Sequence, residues 1–213
     1  MRQSLASLTK RPVSRFPYER LGDAELVQAV GQGDTEAVGV VWDRYSPLVR
    51  SVLRANLGFD AATEDLLQEV FIIFLRNAAE IRTGNALKSF LATVAVRVVL
   101  VELRRRRVRR WVTLTPTGEI PERPAAPRDE DGAAALTALY RLLDRMPPRR
   151  RVAFVLRHVE GFELSEVASA LKVSESTAKR EVMKARQTIF TRAERSEPAL
   201  WHYLSRFQEG EHA

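Results

Sequence analysis

Apolar residues recur at spacings of three and four along residues 22–111, which is the pattern of helices that bury one face. Of the four helices predicted here, the third starts near Ala61 and the fourth runs from Ala86 to about Arg107. Their apolar stripes comprise Leu66, Leu67, Val70, Phe71, Phe74 and Leu75 in the third helix and Leu87, Phe90, Leu91, Val94 and Val98 in the fourth. Strand-like alternation is almost absent, so the pattern predicts an all-α fold with these helices packed as a bundle.

The same spacing returns in residues 136–190, whose last two helices are predicted to meet at a tight turn. Their apolar stripes are Val167, Ala168 and Leu171 on the first helix and Ala178, Val182, Ala185 and Ile189 on the second. Ser174 is a good N-cap for the second helix. The opposite face of that helix carries Ser176, Lys179, Arg180, Met183, Lys184 and Gln187. Such a face suits the DNA major groove, although an ordinary αα-hairpin inside a bundle has the same spacing.

Residues 112–135 separate the two helical stretches and have no hydrophobic period. Their prolines, glycines and excess of acidic side chains are typical of a flexible linker. Residues 1–21 are polar and basic and predict a flexible N-terminal arm, and residues 191–213 form a C-terminal tail with a short aromatic helix. The chain is therefore predicted to contain two small helical domains joined by a flexible linker.

The charge of the chain indicates the kind of partner. The 213 residues carry a formal net charge of +7 and no cysteine. The positive charge favours a polyanionic partner, with nucleic acid ahead of a membrane surface. No apolar run is long enough to span a membrane, and the first residues lack a secretory signal. The absence of cysteine excludes disulfides and thiolate metal sites and fits a reducing cytoplasm.

Six arginines fall within seven residues at the end of the fourth predicted helix. They are Arg104, Arg105, Arg106, Arg107, Arg109 and Arg110. This density exceeds what a solvated helix end needs and favours a phosphate-binding surface. Lys88, Phe90 and Arg97 precede the run on the same helix, and basic groups beside an aromatic ring can hold single-stranded nucleic acid. Core packing explains Phe90 equally well, because it lies on the apolar stripe.

An acidic cluster on the third predicted helix has three interpretations. It comprises Glu64, Asp65 and Glu69, with Gln68 beside them. Carboxylates can bind Mg²⁺ for phosphoryl chemistry, but no second acidic cluster, histidine partner or glycine-rich phosphate loop accompanies these. A solvated face and a docking surface for a basic protein both outrank catalysis. We therefore predict no enzymatic activity, no metal site and no cofactor.

The order of these parts resembles a bacterial RNA polymerase sigma factor of the extracytoplasmic-function (ECF) group, within the sigma-70 family. Residues 63–71 read TEDLLQEVF, close to the region 2 phrase of that family, and residues 101–110 read VELRRRRVRR. Residues 146–157 read MPPRRRVAFVLR, close to its region 4 phrase. The resemblance places region 2 at residues 22–111 and region 4 at residues 136–190.

The resemblance implies a role for each part. The acidic helix, with Glu64, Asp65, Gln68 and Glu69, would dock on the β′ clamp of core RNA polymerase, whose β flap is a further contact. Lys88, Phe90, Arg97 and the six arginines would open and read the minus-ten element. Ser176, Thr177, Lys179, Arg180 and Lys184 would read the minus-thirty-five element of promoter DNA. The sigma factor itself makes and breaks no bond. Such a protein works in the cytoplasm on the nucleoid, as a monomer on polymerase, and relatives are commonly held by an anti-sigma protein.

The sequence departs from the family pattern at several positions. Phe90 stands where relatives often have Trp, and Arg97 and Val101 replace a common Asn and Asp. Lys172 replaces a frequent turn glycine. Glu181 falls where a base is common, so we expect it on the outer face, where it would bear on promoter choice. A coil of about 24 linker residues spans roughly 27 Å, which predicts domains that are loosely or differently arranged away from polymerase.

Two rival hypotheses remain from the residues alone. One is a stand-alone helix-turn-helix regulator that binds an operator as a dimer, which the acidic docking helix and the distant basic helix disfavour. The other is a metal-dependent nuclease that uses Glu64, Asp65 and Glu69.

Overall fold

The computed structural model describes residues 18, 20–58, 62–81, 86–112 and 130–210, and this part of the chain contains nine α-helices and no strand. The helices are α1 Asp23–Gly31, α2 Thr35–Leu57, α3 Ala62–Asn77, α4 Ala86–Val112, α5 Glu130–Asp144, α6 Pro148–Phe154, α7 Leu164–Leu171, α8 Glu175–Ser196 and α9 Pro198–Gly210. The all-α prediction is confirmed. Most of the predicted N-terminal arm and of the predicted linker lies outside the described residues.

The start of α2 is fixed by its cap. The Asp34 carboxylate accepts hydrogen bonds from the backbone N–H groups of Glu36 and Ala37, at 2.9 and 3.2 Å. The Tyr18 hydroxyl donates to the same carboxylate at 2.6 Å. These bonds satisfy N–H groups that have no partner within the helix. Helix α2 continues through Pro47 without a break.

Helices α1 to α4 pack around one core, and each of them contributes fully buried side chains, including Leu26 of α1 and Leu53 of α2. Leu67, Phe74 and Leu91 are fully buried. The predicted stripe of α3 is too wide at one edge, because Leu75 is 43% exposed. Helices α2 and α4 cover only one side of α3, so a residue at the margin of the stripe faces solvent.

Helices α5 to α9 form the second helical unit. Leu143, Val155 and Ile189 are buried in its core together with Leu200 from the C-terminal tail. Helix α5 begins at Glu130, ahead of the predicted first residue 136, since burial of Gly132 and Ala135 against the unit stabilises helix there. The predicted tail helix is present as α9.

The two units pack directly against each other through α4. Its residues from Leu91 to Val99 are buried around most of the helix circumference, and a helix that is apolar all round needs covering on several sides. Helices α2 and α3 cover one side, and α6 and α7 of the second unit cover another. Buried side chains of both units, among them Val98 and Val167, belong to one hydrophobic cluster. Domains that are loosely or differently arranged were predicted, and in the described residues they are packed rather than loose.

Polar contacts reinforce this junction. The Lys88 ammonium lies 3.4 Å from the Glu166 carboxylate and 4.8 Å from the centre of the Phe162 ring. At the other end, the Ser51 hydroxyl donates to the Glu160 carboxylate at 2.7 Å. Both contacts join residues of the first unit to residues that follow α6.

The turn between α7 and α8 depends on a left-handed residue. Lys172 has φ 52° and ψ 51°, a conformation that costs a residue with a Cβ roughly 1–2 kcal/mol. Its N–H donates to the carbonyl of Ser169, and the N–H of Val173 donates to the carbonyl of Ala168, which closes the helix end. The strain is local and its side chain is exposed.

Replacing Lys172 by glycine is expected to stabilise the protein by about 1 kcal/mol, because glycine adopts this conformation without a Cβ penalty. Urea unfolding at pH 7 measures the change. Lys172→Ala is the matched control, since it removes the charge and keeps the Cβ. Equal stability for Lys172→Gly and Lys172→Ala would contradict the assignment of strain to this turn.

Glu160 gives the junction a pH dependence. Burial raises the pKa of the Glu160 carboxyl, although the hydrogen bond from Ser51 opposes the shift. The folded chain therefore holds this proton more tightly than the unfolded chain, and the stability it contributes is lost as pH rises through the folded pKa. Glu160→Gln is expected to raise the melting temperature at pH 7, with the difference shrinking toward pH 4. The exposed Glu194→Gln is the control, and a comparable gain in that variant would contradict the account.

Candidate nucleic-acid and protein interfaces

The outer face of α3 presents acidic and polar side chains to solvent. Asp65, Gln68 and Glu69 are exposed and follow one another at helical spacing. Ile72 continues the row and is 46% exposed. We call these four residues the docking face. Carboxylates beside an exposed aliphatic side chain can bind a basic helix through charge and apolar contact.

Glu64 points away from the docking face toward α2. Its carboxylate lies 3.0 Å from Arg50 Nε and 3.0 Å from an Arg54 nitrogen. The hydrogen bond from Arg50 is the largest cause of a lowered pKa for the Glu64 carboxyl, which burial opposes. The acidic cluster is thus divided between two faces, and no group of three metal-ligating side chains assembles within the described residues.

Helix α4 carries several of its arginines on an exposed, positively charged surface. The exposed members are Arg97, Arg104, Arg105 and Arg107, which we call the arginine face. Arg106 differs, because it is half-buried, lies 3.0 Å from the Glu102 carboxylate and donates to the Leu57 carbonyl at 2.8 Å. The side chains of Arg109 and Arg110 lie outside the described residues. An array of exposed guanidinium groups is suited to phosphate oxygens.

The upstream part of α4 is occupied by contacts within the protein. Lys88 contacts Glu166 and Phe162, as described above, and is therefore engaged by the second unit. Phe90 is half-buried, and its ring lies edge-on to Phe74 at a centroid distance of 6.4 Å. Of the two explanations for Phe90, the structure shows the core contact.

Helix α8 holds its basic side chains away from the core. Ala178, Val182 and Ala185 are buried, so the opposite side faces solvent. The exposed residues there are Ser176, Lys179, Arg180 and Lys184, which we call the recognition face. Thr177 is half-buried and takes part in the cap, where its N–H donates to the Ser174 hydroxyl at 3.3 Å. The predicted N-cap is therefore present.

The expectation for Glu181 is wrong. Its carboxylate lies 3.2 Å from Arg150 Nε on α6, and only 18% of its side chain is exposed. An acid at this position is held inward by an arginine from another helix, so it does not interrupt the recognition face.

Two features of these surfaces were missed in the sequence. Ile72 was not assigned to any surface in the sequence. It lies three residues after Glu69 and four after Gln68, and this helical spacing places it on the same face. The partner of Glu181 had no such signal, since Arg150 lies on a different helix.

Two family models match the chain in the order in which these surfaces occur. The Sigma-70 region 2 model matches residues 41–109, and the Sigma-70, region 4 model matches residues 136–189. The ECF RNA polymerase sigma factor SigM of Mycobacterium tuberculosis is 29% identical over 170 residues, which cover 79% of this chain and 83% of the relative. The ferric citrate uptake sigma factor FecI of Escherichia coli is 33% identical over 129 residues, which cover 60% and 72%.

Solved structures share the fold. The structure of CnrH in complex with the cytosolic domain of CnrY matches with a TM-score of 0.61 at 16% identity, over 82% of this chain and 98% of that one. The Bartonella quintana sigma factor RpoE, in complex with the anti-sigma factor NepR, matches with a TM-score of 0.54 at 20% identity, over 70% and 91%.

The chain therefore belongs to the ECF group of the sigma-70 family of bacterial RNA polymerase sigma factors, as its motifs had suggested. Members of this family are transcription initiation factors, and the function of this chain is to direct promoter-specific initiation. None of the described helices is both long and apolar enough to cross a membrane.

Replacing Glu181 by glutamine is expected to cost about 0.5–1 kcal/mol of stability, because it removes a partly buried ion pair. Promoter-sequence preference, measured by selection from a promoter library with core polymerase, is expected to stay unchanged.

Arg150→Gln is the matched control for this ion pair. It should cost a similar amount of stability, and the double variant should lose less than the sum of the two. If Glu181→Gln changed the base preference and left stability unchanged, Glu181 would have to contact DNA, and the assigned ion pair with Arg150 would be contradicted.

Proposed function

We propose that this sigma factor grips core RNA polymerase through the docking face of α3 and reads two promoter elements through α4 and α8. One observation supports the proposal above all. Among the described helices, α3 has an exposed acidic face, and α4 and α8 each have an exposed basic face. These faces follow in the order that the family uses for polymerase, the minus-ten element and the minus-thirty-five element.

The docking face fits a basic protein surface. The structure gives Asp65 and Glu69 no salt bridge to any described residue, whereas Glu64 is held by two arginines of α2. Their charge is thus available to a partner, and Ile72 adds apolar area at the same place. We assign this face to the clamp of the β′ subunit, with the β flap as the contact of the second unit, and Glu64 to the support of α3.

The arginine face would bind the promoter backbone near the minus-ten element, with Arg109 and Arg110 as its continuation. Phosphate contacts set position and give a strong salt dependence, but they carry no base information. The recognition face, with Thr177 at its margin, would supply base contacts in the major groove at the minus-thirty-five element, since Lys and Arg side chains can reach guanine edges.

Promoter reading requires the two units to separate. In the family, the two promoter elements lie about two DNA turns apart, roughly 70 Å. Here α7, the first helix of the helix-turn-helix, packs directly on α4. The Lys88 ammonium contacts the Glu166 carboxylate and the Phe162 ring, so it is not available to DNA. We infer that binding to polymerase draws the second unit off α4, which frees Lys88 and the edge of Phe90 for the melted strand.

The remaining expectations fit this role. The sigma factor would make and break no bond, and polymerase would perform the chemistry in the cytoplasm, on the nucleoid. In one of the two solved structures, the sigma factor RpoE of Bartonella quintana is bound to the anti-sigma factor NepR. We propose that an anti-sigma protein of this kind is a further partner of this chain. The stand-alone regulator and the nuclease gain no support from the described residues.

Reconstitution with core RNA polymerase on a promoter library tests the proposed function. The expected result is a stable complex with core polymerase that melts and transcribes a defined subset of promoters. Failure to bind core polymerase would overturn the proposal, as would DNA cleavage with Mg²⁺ in the absence of polymerase.

Charge reversal on the docking face is expected to weaken core binding. Asp65→Lys combined with Glu69→Lys should raise the dissociation constant about tenfold or more, because the loss of two charge contacts exceeds 1.4 kcal/mol. Fluorescence anisotropy of labelled protein titrated with core polymerase measures the change.

The matched control combines Glu80→Lys with Glu194→Lys, which makes the same charge change at two exposed acids away from this face. Circular dichroism should show equal helicity in both variants. Equal weakening by the control pair would show that net charge, rather than the docking face, sets the affinity.

A further inference from the structure

A large apolar side chain is exposed on the side of α8 that carries the recognition face. Met183 is 61% exposed. The other apolar residues of this part of the helix, including Val182, Ala185 and Ile189, are buried on the opposite side. A single exposed apolar side chain is ordinary on a protein surface. Its role therefore depends on which side chains surround it.

Met183 lies among the basic and polar residues of the recognition face. Each residue of an α-helix adds about 100° of rotation, so Met183 lies about 40° from Lys179 in one direction and about 60° from Arg180 in the other. Gln187 follows one turn later. All four side chains are exposed. The methionine is thus inside the polar face and away from the edge of the buried stripe.

The charged side chains of this face are available to DNA. The structure gives Lys179, Arg180 and Lys184 no salt bridge to any described residue. Around the helix axis, the two lysines lie on either side of a strip that comprises Arg180, Met183 and Gln187. Lysines in this arrangement suit the phosphates that border a groove, and the strip between them then faces the base edges.

The chemistry of the strip differs from residue to residue. Arginine and glutamine hydrogen-bond to guanine and adenine edges, whereas a thioether is only a weak acceptor. Thymine is the base that presents an apolar group in the major groove, its 5-methyl group. A flexible, polarizable methionine side chain adapts well to such a contact, which removes apolar surface of both groups from water. Met183 is therefore suited to thymine.

We propose that Met183 reads a thymine of the minus-thirty-five element through apolar contact with the 5-methyl group. The inference rests on the proposed function of α8 and adds one specified base to it. Arg180 and Met183 are about 4.5 Å apart along the helix axis, and successive bases of a strand are about 3.4 Å apart. The thymine is therefore expected in the base pair next to the one that Arg180 contacts.

Uracil substitution tests the contact, because uracil pairs as thymine does and lacks only the methyl group. The probe is a promoter recovered from the library by the complex of this chain with core polymerase. Each thymine on either strand of its minus-thirty-five element is replaced by uracil in turn, and competition binding gives the relative affinity. The expected result is about a fourfold loss at one thymine and less than about a twofold change at the others.

Met183→Leu and Met183→Gln form a matched pair of variants for this experiment. The two new side chains are similar in size, but only leucine is apolar. Met183→Leu is expected to keep the uracil effect at the same thymine, and Met183→Gln to bind the thymine and uracil promoters equally. Unchanged uracil sensitivity in Met183→Gln would overturn the proposal.

The remaining outcomes separate this inference from the proposed function. Promoter binding without a uracil effect at any position would overturn the inference alone, as would recovered promoters that share no A·T pair in the minus-thirty-five element. Weaker binding of Met183→Gln to core polymerase, with uracil sensitivity unchanged, would assign Met183 to a protein contact instead. Failure of the complex to bind any promoter would overturn the proposed function as well.

Discussion

The packing of α4 is the constraint on which the rest of the structure depends. This helix is apolar around most of its circumference between Leu91 and Val99, so one bundle of helices leaves part of it uncovered. Helices α6 and α7 of the second unit complete the burial, and Lys88 closes the contact through Glu166 and Phe162. The same helix carries the arginine face. Lys88, which the second unit engages, is also proposed to contact the melted promoter strand, so domain packing and the proposed DNA contact compete for one part of this helix.

This competition would reduce promoter binding by the free protein, because part of the proposed DNA-binding surface is covered by the second unit. Burial of apolar area on α4 favours the packed arrangement, and the polar contacts of Lys88 and Ser51 fix its register. In the proposed function, binding to polymerase and promoter supplies the free energy that separates the units. Since the docking face and the recognition face are both exposed in the packed arrangement, each can engage its partner before separation occurs.

Local features of the fold could be predicted from the sequence because their causes lie within a few residues. Ser174 caps α8 through the next turn of its own helix, and the apolar period of α8 correctly separated buried Ala178 from exposed Lys179. The position of α9 followed from its aromatic residues, and the acidic and basic helices were recognised by charge and order. The family phrases then fixed the overall architecture.

Features that depend on a second helix were harder to predict. Glu181 was expected on the outer face, but Arg150 of α6 draws it inward, and no local pattern records that pairing. Glu64 was grouped with Asp65, although two arginines of α2 hold it apart. The packing of the two units could have been predicted from the sequence of α4, because the apolar residues Val96 and Val99 lie outside the single stripe assigned to this helix. An all-round apolar helix implied a second partner.

The central claim is that one surface of α4 serves the packed arrangement in the free protein and the promoter on polymerase. A distance measurement by pulsed electron paramagnetic resonance tests it directly, because the chain has no cysteine of its own. Spin labels on Arg76→Cys in α3 and Ser169→Cys in α7, both exposed positions, report the separation of the units. The account predicts one short, narrow distance distribution for the free protein and a much longer one in the complex with core polymerase and promoter DNA. The same distribution in both states would contradict it.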